Sequence, residues 1–207
     1  MTEKLLSIII LTIPQRKQQL DNLINQINSG LTIEDAQYVE IIVVNDDLDQ
    51  PRKTIGEKRN IGNLTAKCKF VWHVDDDDQI NPEALKSLIQ ACKNDVDCIG
   101  IKCYVYINGI YSGISDQSFD YENDFNTLQD NNKKYRRIPN TRNPILREHA
   151  LRINMLDVDF GEDADFGKRI KPFLKSQIKL EKPIYYYYSI DNKYIFDNTM
   201  KIVEIVK

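Results

Sequence analysis

The chain is poor in the residues that build metal cages and membrane anchors. Its two histidines, His73 and His149, are far apart, and Cys68, Cys92, Cys98 and Cys103 contain no Cys-x-x-Cys pair. A zinc site is therefore disfavoured, and the thiols are expected to be reduced core residues of a cytoplasmic protein. No apolar run approaches the roughly 20 residues needed to span a bilayer. Met1-Thr2-Glu3-Lys4 has none of the character of a signal peptide. Residues 12–16 hold no glycine, so a Gly-rich phosphate loop is missing at the end of the first apolar segment. A net charge of −3 supplies no general attraction to nucleic acid or anionic membrane. With 207 residues, 42% hydrophobic and 29% charged, one soluble globular domain with a full core is expected.

Against these absences stands a run of four aspartates, Asp75-Asp76-Asp77-Asp78, directly behind the apolar stretch Phe70-Val71-Trp72-His73-Val74. The apolar stretch reads as a buried strand, which puts the carboxylates where that strand leaves its sheet. Adjacent carboxylates repel one another, and a nearby cation offsets that repulsion. In extended chain alternate side chains share a face, so Asp75 and Asp77 point one way; Asp76 and Asp78 form an equally spaced pair. Either pair suits a hard divalent ion, manganese or magnesium, able to hold a diphosphate. A solvated acidic loop is the plain alternative. A calcium loop fits poorly, because the sixth position counted from Asp75 is Ile80 instead of Gly and the twelfth is Lys86 instead of Glu.

Residues 5–11 (LLSIIIL) and 39–44 (VEIIVV) have the near-continuous apolar, β-branched character of strands buried on both faces. Between them, Leu20, Leu23, Ile24 and Ile27 recur at helical spacing and the pattern stops at Ser29-Gly30. A helix is expected over 55–67, weakened by Gly56 and Gly62, then a strand over 69–74. Asn81-Pro82-Glu83 starts another helix to 93. This strand–helix alternation implies a parallel sheet with right-handed crossovers. Beyond it the spacing predicts a strand over 98–107, an Asn108-Gly109 hairpin into 110–114, a polar acidic stretch over 115–132 and a strand over 138–146. Helices over 147–155 and 163–174 and short strands over 178–180 and 184–190 complete the pattern. The expected organisation is one domain, 1–207, with a nucleotide-type half, 1–97, and an antiparallel, acceptor-type half, 98–207.

In open parallel sheets ligands bind outside the carboxyl ends of the strands. Three of those ends are polar here: Thr12-Ile13-Pro14-Gln15-Arg16, Asn45-Asp46-Asp47 and the aspartate run. A carboxylate such as Asp46 can accept a pyrimidine ring N–H, and Arg59 can pair with a diphosphate or stack on a base. Glu162 and Asp163 follow Gly161 at a helix start, where the macrodipole favours ionised carboxylates, and such a carboxylate can take a proton from an attacking hydroxyl.

In order and spacing these segments resemble the family 2 glycosyltransferases with the GT-A fold. Ser7–Thr12 with Pro14 and Arg16 is similar to the family's opening strand. Val43-Val44-Asn45-Asp46-Asp47 resembles its Val-Val-Asp-Asp segment, with Asn45 in an acidic place. Arg59-Asn60-x-Gly62, then Ala66, then 70–78 with Pro82 resembles its Arg-Asn-x-Gly…Asp-x-Asp-Asp block, and Gly161-Glu162-Asp163 with Arg169 its Glu-Asp motif. The resemblance implies a Rossmann-like, mostly parallel α/β sheet flanked by helices, with a smaller antiparallel acceptor side. It also implies an inverting, metal-dependent transfer from a nucleotide sugar, UDP-linked above all, to a hydroxyl. By carry-over Thr12, Pro14, Arg16, Asp46, Arg59, Asp75 and Asp76 would hold the donor. Asp75 and Asp77 would hold Mn2+ or Mg2+, Asp163 would be the base and Glu162 its neighbour. No C-terminal histidine supports a third metal ligand.

The acceptor is open: carbohydrate, lipid-linked glycan, protein or a hydroxymethylated DNA base. Tyr185-Tyr186-Tyr187-Tyr188 offers either a sugar-stacking surface or half-buried packing. Lys133-Lys134-Tyr135-Arg136-Arg137 reads as a solvated loop or as a contact for a phosphorylated acceptor. A sugar nucleotidyltransferase and a non-catalytic nucleotide-sugar binding module are the competing classes.

Overall fold

The computed structural model describes residues 4–46, 50–127, 133–189, 194–196 and 202–204; Asp47 lies outside them. The first half follows the expected alternation. Strand β1 (Leu6–Leu11) is flanked by the 3-10 turn Pro14–Arg16, helix α1 (Lys17–Ser29), a single turn α2 (Ile33–Ala36), β2 (Val39–Val44), α3 (Ile55–Thr65) and β3 (Phe70–Asp75). β1 pairs in parallel with β2 on one side and β3 on the other, in registers that bring Leu11 level with both Val44 and Asp75. All six β1 residues are buried because helices cover both sheet faces. Side chains alternate accordingly. Ile8, Ile10, Trp72 and Val74 enter one core with Leu23 and Leu85, whereas Ile9, Leu11 and Val71 enter a second with Phe166 and Ile170.

The two-residue strand β4 (Gln79–Ile80) and helix α4 (Pro82–Cys92) follow the aspartates. Asn81 caps α4, its side chain accepting from Glu83 N, with Pro82 at the first position. Then come β5 (Cys98–Ile107), β6 (Ile110–Gln117), β7 (Phe125–Thr127), β8 (Lys133–Arg137), β9 (Ile145–Leu146), the single turn α5 (Arg147–Ala150) and α6 (Glu162–Ile170). Strands β10 (Gln177–Lys179), β11 (Tyr185–Ser189), β12 (Tyr194–Phe196) and β13 (Ile202–Glu204) complete the chain. The main sheet runs β2-β1-β3-β9-β5-β6-β8-β7.

Three expectations are revised. The second half is mixed: β5 pairs in parallel with β10 and β11, and β6 with β8, beside the antiparallel β5–β6 hairpin and β9. Periodicity marks strands without naming their partners. The strand expected over 138–146 shrinks to Ile145–Leu146. Pro139 and Pro144 remove ladder donors, and the Asn140 side chain accepts from Arg142 N while Asn143 donates to the Ile99 carbonyl, which folds 138–144 into a loop. The basic run 133–137, expected as a solvated loop, is strand β8.

Candidate active site

The polar ends of β1, β2 and β3 converge. One step past β1, Thr12 Oγ1 donates to Asp76 Oδ2 at 2.7 Å, and Arg16 Nη1 reaches Asp76 Oδ1 at 2.8 Å and Asp77 Oδ2 at 3.1 Å. Pro14 opens the 3-10 turn that turns Arg16 back over the aspartates. Past β2, Asp46 Oδ2 accepts from Lys58 Nζ at 2.8 Å, and the same ammonium donates to the Thr12 carbonyl at 2.9 Å. Past β3, the four aspartates diverge. Asp78 is buried and spends both oxygens on β11, one on the Tyr185 hydroxyl and one on Tyr188 N–H, both at 2.8 Å. Asp76 has a side chain 3% exposed, whereas that of Asp77 is 54% exposed. Asp77 and Asp78 also border an open groove of about 470 Å3, walled by the amides of Gln19, Asn22 and Gln26 on α1.

A second network crosses the chain. Arg59, buried in α3, donates Nη2 to Asp75 at 3.0 Å and Nε to Glu162 at 3.1 Å. Its helix is clamped to the segment ahead of α6. Asn60 exchanges hydrogen bonds with the backbone of Met155 at 2.8 and 3.0 Å, and Arg52 pairs with Asp159. A Cβ at Gly56 would lie 1.7 Å from the Leu156 carbonyl oxygen, so only glycine permits this approach. Gly161, at φ 86°, turns the chain into α6 and sets Glu162 and Asp163 at its first turn. Asp163 is partly exposed, and its Oδ2 faces Arg142 Nη1 at 3.7 Å.

Charge is unevenly compensated across these groups. The Arg59 charge outweighs burial and holds the Asp75 carboxyl below its ordinary range. Hydrogen bonds and charge from Lys58 do the same for Asp46 against its burial. Burial, aided by the Asp75 charge, pushes Asp77 up and carries Asp78 to about 7. Burial raises Glu162 despite Arg59. The cluster is thus richer in negative charge than its own cations neutralise. Among the described residues no three His, Cys, Asp or Glu side chains converge as a metal cage. A hard dication held by one or two carboxylates and completed by a ligand's phosphate oxygens needs no such cage. Asp77, with Asp75 behind it, fits that role; Asp78, with both oxygens engaged, does not.

The structure brings Thr12, Arg16, Asp46, Arg59, Asp75, Asp76, Asp77, Glu162 and Asp163 to one rim, together with Tyr185 of the tyrosine run and with Lys58 and Arg142, which no sequence motif marked. Lys58 was detectable as a second cation beside Arg59 on a helix that must face the sheet. Arg142 stands alone between Pro139 and Pro144 and gives no local signal. In the tyrosine run, Tyr186 stacks on Tyr104 at 5.0 Å and Tyr188 on Tyr106 at 5.1 Å, so those rings face each other.

The model of the family described as glycosyl transferase family 2 matches residues 47–147. That stretch, just under half of the chain, is similar to glycosyl transferase family 2. The structure of S. aureus TarS 1-349 in complex with UDP-GlcNAc is similar at a TM-score of 0.62 and 18% identity, over 89% of this chain and 58% of that one. The same protein's 1-349 form with UDP gives 0.61 and 18%, over 89% and 60%, and S. aureus TarS itself 0.62 and 16%, over 89% and 36%. The chain therefore spans about three fifths of the 1-349 structures, and the shared fold is of the GT-A type. Curated protein sequences gave no significant match. No helix among the described residues is long and apolar enough to cross a membrane.

Proposed function

We propose that the chain is an inverting glycosyltransferase that moves a sugar from a UDP-sugar to an acceptor hydroxyl. The observation that carries this reading is one rim holding two kinds of carboxylate. Asp77 is presented beside Arg16 at the end of β3, and Asp163 stands at the start of α6, tied to the same rim through the Asp75–Arg59–Glu162 network. The TarS complexes with UDP-GlcNAc and UDP support the choice of donor. The four cysteines are buried and free, which suits a reducing compartment such as the cytoplasm.

In this reading Asp46 accepts the uracil N–H, Thr12 and Pro14 line the nucleoside, and Arg16 meets diphosphate oxygens as a charge-assisted donor. Asp77 and Asp75 would hold Mn2+ or Mg2+, which when bound supplies Lewis-acid neutralisation of the departing diphosphate. Asp163 accepts the acceptor's proton as its oxygen bonds to the anomeric carbon. The carbon–oxygen bond to the diphosphate breaks with its electron pair, and attack from the opposite face inverts the centre. Arg59 keeps Glu162 and Asp75 in place without touching the reacting atoms.

The test is a panel of nucleotide sugars with manganese, read by thermal shift and by slow donor hydrolysis. UDP-sugars should stabilise the protein, and Asp77→Asn should remove the manganese-dependent part. Asp163→Asn should lower turnover by about 10²–10⁴-fold while UDP still binds. Absence of stabilisation by every nucleotide tried, with no hydrolysis, would end the donor reading; near-normal turnover in Asp163→Asn would end the assignment of the base.

A further inference from the structure

Arg142 is the cation of the site whose hydrogen-bond donors are unfilled, although Asp163, Asp75 and Asp78 balance its charge from a distance and, against burial, hold its pKa above the ordinary guanidinium range. Its Nε is buried without a hydrogen-bond partner. Its nearest carboxylate, Asp163, stands at 3.7 Å, outside hydrogen-bond range. The other aspartates nearby are engaged elsewhere, Asp75 with Arg59 and Asp78 with Tyr185 and the Tyr188 N–H. The guanidinium lies 4.5 Å over the Tyr187 ring, and its own backbone is fastened by the Trp72 Nε1 donor to its carbonyl at 2.7 Å and by the Asn140 side chain at its N–H. It is thus held in place while its fork of donors is left open. Fixed, desolvated donors of this kind are costly unless an oxygen-rich ligand completes them.

The surroundings narrow the ligand. A planar fork matches a phosphate or carboxylate at two oxygens. Arg142 faces Asp163, whereas Arg16 is paired with Asp76 and Asp77 and Asp46 with Lys58.

We propose that Arg142 binds an oxyanion carried by the acceptor, placing the acceptor's hydroxyl against Asp163. This rests on the reading of Asp163 as the base. The acceptor class is then a hydroxylated molecule bearing a phosphate or carboxylate near the attacking oxygen, in place of a neutral glycan.

Sulfate, as a stand-in for the oxyanion, is titrated calorimetrically into the protein saturated with UDP and manganese, with malonate run alongside as the carboxylate stand-in. Saturable binding to the UDP-loaded protein is expected. It should weaken about tenfold or more in Arg142→Gln and less in Arg142→Lys. Asp77→Asn should show the opposite pattern, losing UDP and keeping sulfate. Sulfate that UDP displaces would mark Arg142 as part of the donor's diphosphate site and overturn the proposal. So would binding unchanged in folded Arg142→Gln, or no saturable binding of either anion. Should UDP itself fail to bind, the donor reading falls separately, and sulfate titrated into the free protein still decides whether Arg142 holds an anion.

Discussion

The two sides of the rim are built on different terms. On the side proposed to hold the donor the polar groups satisfy one another: Thr12 and Arg16 hold Asp76, Lys58 joins Asp46 to the Thr12 carbonyl, and Arg59 bridges Asp75 and Glu162. On the side proposed for the acceptor Arg142 and Asp163 face each other at 3.7 Å without a hydrogen bond. A network that closes on itself contributes to the shape of the fold and is present before any ligand arrives. One whose donors stay open contributes less to the fold and, in the reading proposed above, is completed by its substrate. Stability and function should therefore separate when each side is cut in turn.

The largest effect is expected at Arg59. Its side chain is 5% exposed, as is Glu162 nearly so at 6%. Arg59→Met strands both carboxylates, and removing one member of a buried ionic group costs about 3–5 kcal/mol. Urea unfolding should register that loss, and Arg59→Lys should recover only part, because an ammonium cannot span both partners with a planar fork. A cost under about 1 kcal/mol would mean that the donor side is not held by its own charges.

The donor side still carries one carboxylate in excess, and pH exposes it. Asp78 is raised to about 7 in the folded protein by burial, then by the Asp75 charge. An unfolded aspartate titrates near ~3.9. The folded state therefore binds more protons between about pH 4 and 7, and this stabilising contribution is complete below that window and lost as pH rises through it. Asp75 and Asp46, held low, act in the opposite sense: their contribution is present above about pH 4 and is lost on acidification. Wild-type urea midpoints should fall from pH 5.5 to pH 8, by up to a few kcal/mol in stability. Asp78→Asn should flatten that fall and leave the acid limb intact. An equal slope in the variant would assign the effect elsewhere.

A smaller loss should follow from the clamp between the two sides. Asn60 meets both backbone polar groups of Met155, so Asn60→Ala removes two hydrogen bonds at a part-buried contact. About 1–3 kcal/mol is expected in unfolding, with reduced hydrogen-exchange protection near Met155 as the local signature.

Asn60 also marks how far the sequence could be read. The Arg59-Asn60-x-Gly62 string was legible as a motif, and β1 to β3, α3, α4 and the aspartates were legible as local patterns. Apolar runs, caps and strand ends all act within a few residues. What each motif residue touches is set across the fold: Arg59 reaches Glu162, Asn60 reaches Met155, and a Cβ at Gly62 would lie 2.4 Å from Ile9 Cγ2. None of those distances leaves a periodic trace. The same reason hid Arg142 and the parallel pairing of β5 with β11, and let two prolines turn an expected strand into the loop that carries Arg142.

Arg142 is where the smallest stability effect should accompany a large effect on ligand. Arg142→Met removes a charge that donates no hydrogen bond from its guanidinium among the described residues, and keeps an apolar stem over Tyr187. Its neighbour Asp163 is partly exposed and remains hydrated when the guanidinium is gone. The lost cation–π contact and the lost attraction to Asp163, Asp75 and Asp78 are partly offset by relief of an unsatisfied buried donor, so unfolding should weaken by about 1 kcal/mol, well short of the loss at Arg59. So small a cost beside the several kcal/mol expected at Arg59 would identify a residue retained for more than the fold. A loss as large as that at Arg59 would show that the acceptor side, too, is held together by its own charges, and the contrast between the two sides would collapse.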